Sequence, residues 1–213
     1  MVEQLSKLVK IGICVEGQSE ALFVKYVLSR YLFKHNIHLQ DPVILGGNVN
    51  LPRISQFLSI MAPQYDFITT LYDFYGFQGK NDNETADALE LRIKQDDKLI
   101  SFNNIIPYIQ KYEFETLLFS DLNILVSHLY HDPELKQQCL TAFQININGK
   151  EPEDINDSIA TAPSKRIHSI YRRYKKSLLG YIIAQDIGIE KIKERCPRFN
   201  KWLDSLIALA NNS

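Results

Sequence analysis

Two patterns of hydrophobic and polar positions alternate along the first half of the chain. Leu8 to Val15 (LVKIGICV) is a short apolar run that stops at Glu16-Gly17, as a parallel strand buried on both faces does. Ser19 to Phe33 (SEALFVKYVLSRYLF) then places apolar residues at helical spacing and fades at His35-Asn36. Asp41 to Leu45 predicts a second strand, Gly46-Gly47 a loop, and Leu51 to Met61 a helix with Pro52 in its first turn, where proline is tolerated. The β-branched and aromatic run Asp66 to Tyr72 (DFITTLY) predicts a third strand. A glycine-bearing loop over Asp73 to Asn83 leads to a polar helix over Glu84 to Lys98. Asn104 to Gln110 predicts a fourth strand, in which Pro107 requires an edge position or a bulge. From about Glu113 the spacing is mainly helical, with Asn146 to Ser158 as a polar loop.

Strand and helix alternating at these lengths imply right-handed crossovers, hence an α/β, Rossmann-like, mostly parallel sheet flanked by helices and followed by a helical C-terminal extension. We expect residues 1–112 to form the α/β core and residues 113–213 a mainly helical extension completing the same domain. At 213 residues, with 45% hydrophobic and 23% charged positions, the chain is long enough for one sizeable core and ordinary for a folded globule. A formal net charge of -1 excludes binding of nucleic acid by overall charge, so any polyanion site must be a local patch. Cys14, Cys139 and Cys196 are widely spaced and form no disulfide framework, which suits a reducing compartment. With no apolar stretch of signal-peptide or membrane-span length, the expectation is a cytoplasmic protein with no membrane partner.

Parallel sheets put their chemistry at the carboxyl ends of the strands, and Glu16 and Asp73 both fall at that edge. Glu20 lies one helical turn beyond Glu16. There it could either reach back to an unpaired amide or join a metal. Glu113 and Glu115 share a face on a strand and diverge on a helix, so one or both could complete an acidic cluster. Such a cluster has the oxygen ligands that Mg2+ or Mn2+ prefers. His128, His131 and Cys139 lack a fourth ligand at zinc spacing, and Gly76 to Lys80 lacks the length of a phosphate loop.

Four segments, V-E-G-Q-S-E at Val15 to Glu20, Y-D-F-Y-G at Tyr72 to Gly76, Y-E-F-E-T-L-L-F-S-D at Tyr112 to Asp121 and T-A-P-S-K-R-I at Thr161 to Ile167, together with the stretch from Lys193 to Leu203, resemble a bacterial family. It is the domain-of-unknown-function family 4276, grouped with the Toprim superfamily of topoisomerases, primases and overcoming-lysogenization-defect nucleases. The resemblance implies a Toprim fold in which a glutamate after the first strand and an Asp-x-Asp after a later one hold magnesium for phosphodiester chemistry. Here those positions are Glu16 and Asp73, and the second aspartate is replaced by Tyr75, a poor magnesium ligand. The resemblance further implies an ATPase partner protein and a place in antiphage defence or DNA processing, and it allows a homodimer.

Lys165 to Lys176 (KRIHSIYRRYKK) concentrates base in an otherwise near-neutral chain. Lys165, Arg166, Arg172, Arg173, Lys175 and Lys176 could follow a phosphate backbone with Tyr171 and Tyr174 stacking on bases, or form a solvated face or a dock for an acidic partner. Lys165, following Ala162-Pro163-Ser164, is a candidate to neutralise charge on a transferring phosphate. Two functions follow. One is a metal-dependent nuclease or phosphodiester-cleaving enzyme using Glu16, Asp73 and Lys165 as catalytic groups. The other is a catalytically degenerate module that binds a protein partner or nucleic acid.

Overall fold

The structure, a computed structural model, describes residues 8–156 and 158–211. Residues 1–7 of the expected core segment, residue 157 of the expected loop and residues 212–213 of the expected extension lie outside them. In chain order, β1 (Val9–Val15) leads into a helix formed by α1 (Gln18–Phe23), a π-helical turn (Val24–Leu28) and α2 (Ser29–Phe33). Next come β2 (Ile37–Leu39), β3 (Val43–Ile44), α3 (Leu51–Met61), β4 (Phe67–Asp73) and α4 (Ala86–Lys94). β5 (Ile105–Ile106) and β6 (Ile109–Gln110) precede a 3-10 turn over Phe114–Ser120. The remainder is helical: α5 (Leu122–Leu129), α6 (Pro133–Ile147), α7 (Pro163–Ile170), α8 (Lys176–Ile187), α9 (Ile189–Arg195) and α10 (Pro197–Asn211).

The sheet is parallel throughout its described pairings, with β1 and β4 side by side in the middle in a register that sets Val15 opposite Leu71. β2 and β3 share the outer side of β1, β2 pairing with its start and β3 with its end. β5 and β6 share the outer side of β4 in the same way. This is the mostly parallel α/β sheet with a helical C-terminal region that the periodicity predicts. Two details differ. β2 is an additional strand, its three residues too few to give a periodic signal. The expected fourth strand is split at Pro107, which has no amide to donate. Hydroxyls of β4 fill the gap: Thr70 Oγ1 accepts from the Tyr108 amide and donates to the Tyr108 carbonyl, both at 2.8 Å, and Thr69 Oγ1 donates to the Ile106 carbonyl at 2.7 Å.

Period-two alternation divides the strands between two apolar layers. Val9, Ile11, Ile13 and Val15 of β1 and Leu71 of β4 pack with α1, α8, α9 and α10, whereas Cys14, Ile68 and Tyr72 pack with α3 and α4. The C-terminal helices therefore cover one face of the sheet, where Trp202 of α10 stacks on Tyr108 at 4.4 Å between ring centroids and donates to Thr69 Oγ1. The alternation that turns Leu71 toward α8 turns Asp73, two residues on, to the same side. No helix among the described residues is long and apolar enough to cross a membrane.

Candidate functional site

Glu16 follows the last residue of β1 and Asp73 is the last of β4, so the two acids meet at the carboxyl ends of adjacent parallel strands. Glu16 Oε2 accepts the Asp73 amide at 3.2 Å. A side chain on Gly76 would collide with the Glu16 carboxylate, so glycine there lets that carboxylate lie against the loop after β4. Glu20, in the first turn of α1, does two things at once. Its Oε2 accepts the Gly17 amide at 3.1 Å, which caps the helix, and its Oε1 stands 2.9 Å from Lys176 Nζ. Asp73 Oδ1 accepts the Phe114 amide at 2.7 Å. That bond ties the start of the 3-10 turn to β4 and brings Glu115, fully buried, into the same cluster.

Lys176, the first residue of α8, supplies the central charge. Its ammonium lies 2.8 Å from Asp73 Oδ2, 2.9 Å from Glu20 Oε1 and 3.2 Å from Glu115 Oε2. α8 can come this close because Gly180, one turn further, has no side chain to strike the Phe114 ring. The contacts are unequal: only Asp73 receives a well-directed hydrogen bond, and Glu20 Oε1 and Glu115 Oε2 are buried without one. Burial raises the Asp73 carboxyl well above its ordinary range. Lys176 opposes this rise, while Glu20, Glu16 and Glu115 add to it. Burial also raises Glu115, again against Lys176, and burial followed by the charge of Glu20 raises Glu16. Burial acts to lower the Lys176 ammonium, but Asp73, Glu115 and Glu20 outweigh it and hold it well above its usual value. One cation thus sits among more buried acids than it can neutralise.

The other expected site residues are placed differently. Glu113 diverges from Glu115 where the 3-10 turn begins, and its Oε2 accepts the Ser164 amide at the start of α7, at 2.9 Å. The basic segment is not one continuous helix; it breaks between Ile170 and Lys176. Lys165 donates to the Ile159 carbonyl at 2.7 Å, and Arg166 braces Thr161 and Asn146. Arg172, Arg173 and Lys175 are exposed. The two tyrosines are used internally: Tyr171 packs edge-on against Tyr130, and Tyr174 is buried with its hydroxyl 3.4 Å from Glu115 Oε1. Lys176, which the sequence suggests as one of several phosphate contacts, is instead the residue that meets the acids. Its distance along the chain from Glu20, Asp73 and Glu115 leaves no local signal of that role.

The donor set fits a hard divalent cation, because Glu16, Glu20, Asp73 and Glu115 offer only oxygens and two of these oxygens lack a directed bond. Among the described residues, no three acidic, histidine or cysteine side chains stand as a ready metal-binding group. A cation held by Asp73, Glu20 and Glu115 together would have to take the position of Lys176 Nζ.

Comparison with solved structures finds similarity to the C-terminal region of the Burkholderia pseudomallei OLD protein, at 14% identity and a TM-score of 0.48, covering 94% of this chain and 98% of that one. No curated protein sequence matches significantly. The family model described as Domain of unknown function (DUF4276) matches residues 15–207, which span Glu16, Asp73, Glu115 and Lys176, and the chain belongs to that family.

Proposed function

We propose that the chain is a Toprim-type phosphodiester-cleaving protein, a nuclease dependent on Mg2+ or Mn2+, with Glu16, Glu20, Asp73 and Glu115 as its metal-holding acids. The observation that carries this reading is the meeting of these acids, from three separate segments, at the carboxyl ends of the two central strands. A divalent cation held there would neutralise phosphate charge and lower the pKa of a bound water. The chain's own groups do the rest. Asp73 is held in position by the Phe114 amide, and Glu16 is held by the Asp73 amide against Gly76. Lys176, if a cation displaced it from the carboxylates, would take the charge-neutralising role toward a phosphate that Lys165 has in the sequence reading. The family resemblance adds an ATPase partner and a role in bacterial defence or DNA processing.

A second reading, a degenerate module that binds a protein or nucleic acid without turnover, is favoured by two observations. Tyr75 stands where a second aspartate would, and the Lys176 ammonium already occupies the middle of the acids. A plasmid-nicking assay with Mg2+, Mn2+ and chelator, on wild type and Glu16→Gln, separates the two. Nicking that needs the ion and is lost in the variant supports the enzyme. Wild type that neither nicks nor gains melting temperature from either ion leaves the binding module.

A further inference from the structure

Beside the acids lies a cleft of about 550 Å3 whose wall is aromatic. Phe74 and Tyr75 follow Asp73 directly, and Tyr112 precedes Glu113, so the wall is built from the same two backbone segments that place the acids. The rings form a row, with Phe74 to Tyr75 at 5.9 Å and Tyr75 to Tyr112 at 5.7 Å between centroids, and all three are partly exposed. The Tyr112 carbonyl accepts the Tyr75 amide at 3.0 Å, and Asn156 donates to the Tyr75 hydroxyl at 2.6 Å, so the wall is braced and not a pair of loose side chains. Lys80, which donates to the Phe77 carbonyl, lies 5.2 Å from the Phe74 ring centre, and Lys111, whose ammonium is paired with Asp154 at 2.9 Å, lies 5.4 Å from that of Tyr112, so a lysine stands at each end of the row. Asn81 and Asn83 add amide donors and acceptors to the lining, which also carries Asp82 and Glu84, the latter paired with Arg92.

Tyr112 is also in an unusual conformation. Its φ of 66° is in the left-handed region, where a bulky residue is strained and glycine is not. Elsewhere among the described residues every non-glycine at positive φ is asparagine, which tolerates that region. The chain must turn at this point to bring the Phe114 amide to Asp73, and glycine or asparagine would make the turn at lower cost. Strain of this kind collects at ligand sites, and what tyrosine adds here is a ring on the cleft wall.

We propose that this cleft is a stacking subsite for one unpaired nucleobase, so that the strand presented to the acids is single-stranded or locally opened. The proposal rests on the phosphodiester reading above. Aromatic rings give a sequence-tolerant surface for any base, the flanking lysines meet the backbone, and the asparagine amides meet a base edge. Duplex DNA, whose bases are stacked internally, cannot enter such a cleft without opening.

The test is binding in chelator, which needs no turnover. The probe is a single-stranded oligonucleotide of about ten nucleotides carrying a fluorescent purine analogue, compared with an abasic oligonucleotide of equal length and charge and with a duplex. Wild type should quench the analogue and bind the base-containing strand about tenfold or more tightly than the abasic one. Tyr75→Leu, which keeps apolar volume, should remove that preference. Tyr112→Asn should remove it too, while the strain it relieves keeps the melting temperature near that of wild type. Equal binding of abasic and base-containing strands, an unchanged preference in both variants, or tighter binding of duplex would each overturn the subsite. The nicking assay is read separately: nicking without a base preference sinks the subsite alone, and a base preference without nicking sinks the enzymatic reading and leaves the subsite.

Discussion

Two clusters of acids lie at the sheet, one around Arg198 whose Glu153 is buried, Glu90 half-buried and Asp87 exposed, and one around Lys176 whose Glu20, Asp73 and Glu115 are all buried; they are built in opposite ways. In the first, around Arg198 at the start of α10, every carboxylate has a structural use. Glu153 accepts the Arg198 and Phe199 amides at 2.8 and 3.2 Å, capping the helix, and Glu90 accepts the Ile109 amide at 2.8 Å. The guanidinium pairs with both Asp87 and Glu90 and donates to the Ile109 carbonyl at 3.1 Å. Among the described residues, no carboxylate oxygen of this clamp is buried without a partner; the one buried orphan there is the guanidinium Nε. In the second cluster, Glu20 Oε1 and Glu115 Oε2 are buried without a directed bond, and a single flexible lysine faces Asp73, Glu20 and Glu115. Buried charge alone does not mark a site. On the function proposed above, the acceptors left over after the fold has been satisfied do.

The largest test of this contrast is Arg198→Ala. It leaves Glu90 facing a sheet edge without its cation, and it should cost about 3 kcal/mol of stability, read by denaturant unfolding. Cleavage per folded molecule should not change. A variant that melts like wild type would mean the clamp is not structural.

Asp73→Asn should do the reverse. The amide oxygen can still accept from Phe114, so stability should stay within about 1 kcal/mol of wild type, while metal-dependent cleavage falls about a hundredfold or more. If both variants lose stability alike, the two clusters are not different in kind.

Lys176→Met should separate them further by removing the internal cation. In chelator its melting temperature should fall below that of wild type, because the acids lose their neutralising partner. Titration calorimetry should then give Mn2+ binding about tenfold tighter than in wild type, with the lost stability recovered on saturation. Weaker or unchanged metal binding would show that the ammonium does not compete for the position.

The smallest expected effect is in pH dependence. Burial and mutual repulsion raise the Asp73, Glu115 and Glu16 carboxyls above their unfolded values, against the opposing pull of Lys176. Groups raised in this way favour folding when protonated. Their contribution is complete below the unfolded carboxylate range, near about pH 4, and is lost as pH rises through the folded values. In chelator, wild type should therefore lose stability relative to Asp73→Asn as pH rises from about 4 toward neutrality. Melting curves that stay parallel over that range would contradict the raised carboxyls.

Much of the fold is legible in local pattern. β1 is one residue shorter than the apolar run Leu8 to Val15, α3 covers Leu51–Met61 as the periodicity predicts, and β4 reaches Asp73 at the end of its β-branched run. These segments bury enough apolar surface for periodicity to report them. β2, with three residues, and the break at Pro107 depend on what the neighbouring strands can offer, namely an edge of β1 and the hydroxyls of Thr69 and Thr70. The basic segment shows the opposite failure. The mainly helical spacing after Glu113 runs through it, but Tyr174 is buried, the half-buried Tyr171 packs against Tyr130, and the chain breaks before Lys176.

The sequence by itself determined the central strands β1 and β4, the helices of the first half, and the placing of Glu16 and Asp73 at strand ends, because these follow from short-range periodicity and from the rule that parallel strands share one active edge. Only the tertiary structure decided that Glu115 and not Glu113 faces those acids, that Glu20 both caps its helix and meets Lys176, and that Lys176 and not Lys165 stands among them. Each of these depends on a contact between distant segments: the Asp73 bond to the Phe114 amide, and the close approach of α8 to Phe114 that Gly180 permits. Local pattern cannot encode them, because the residues that meet are brought together only when the helices of the C-terminal half close over one face of the sheet.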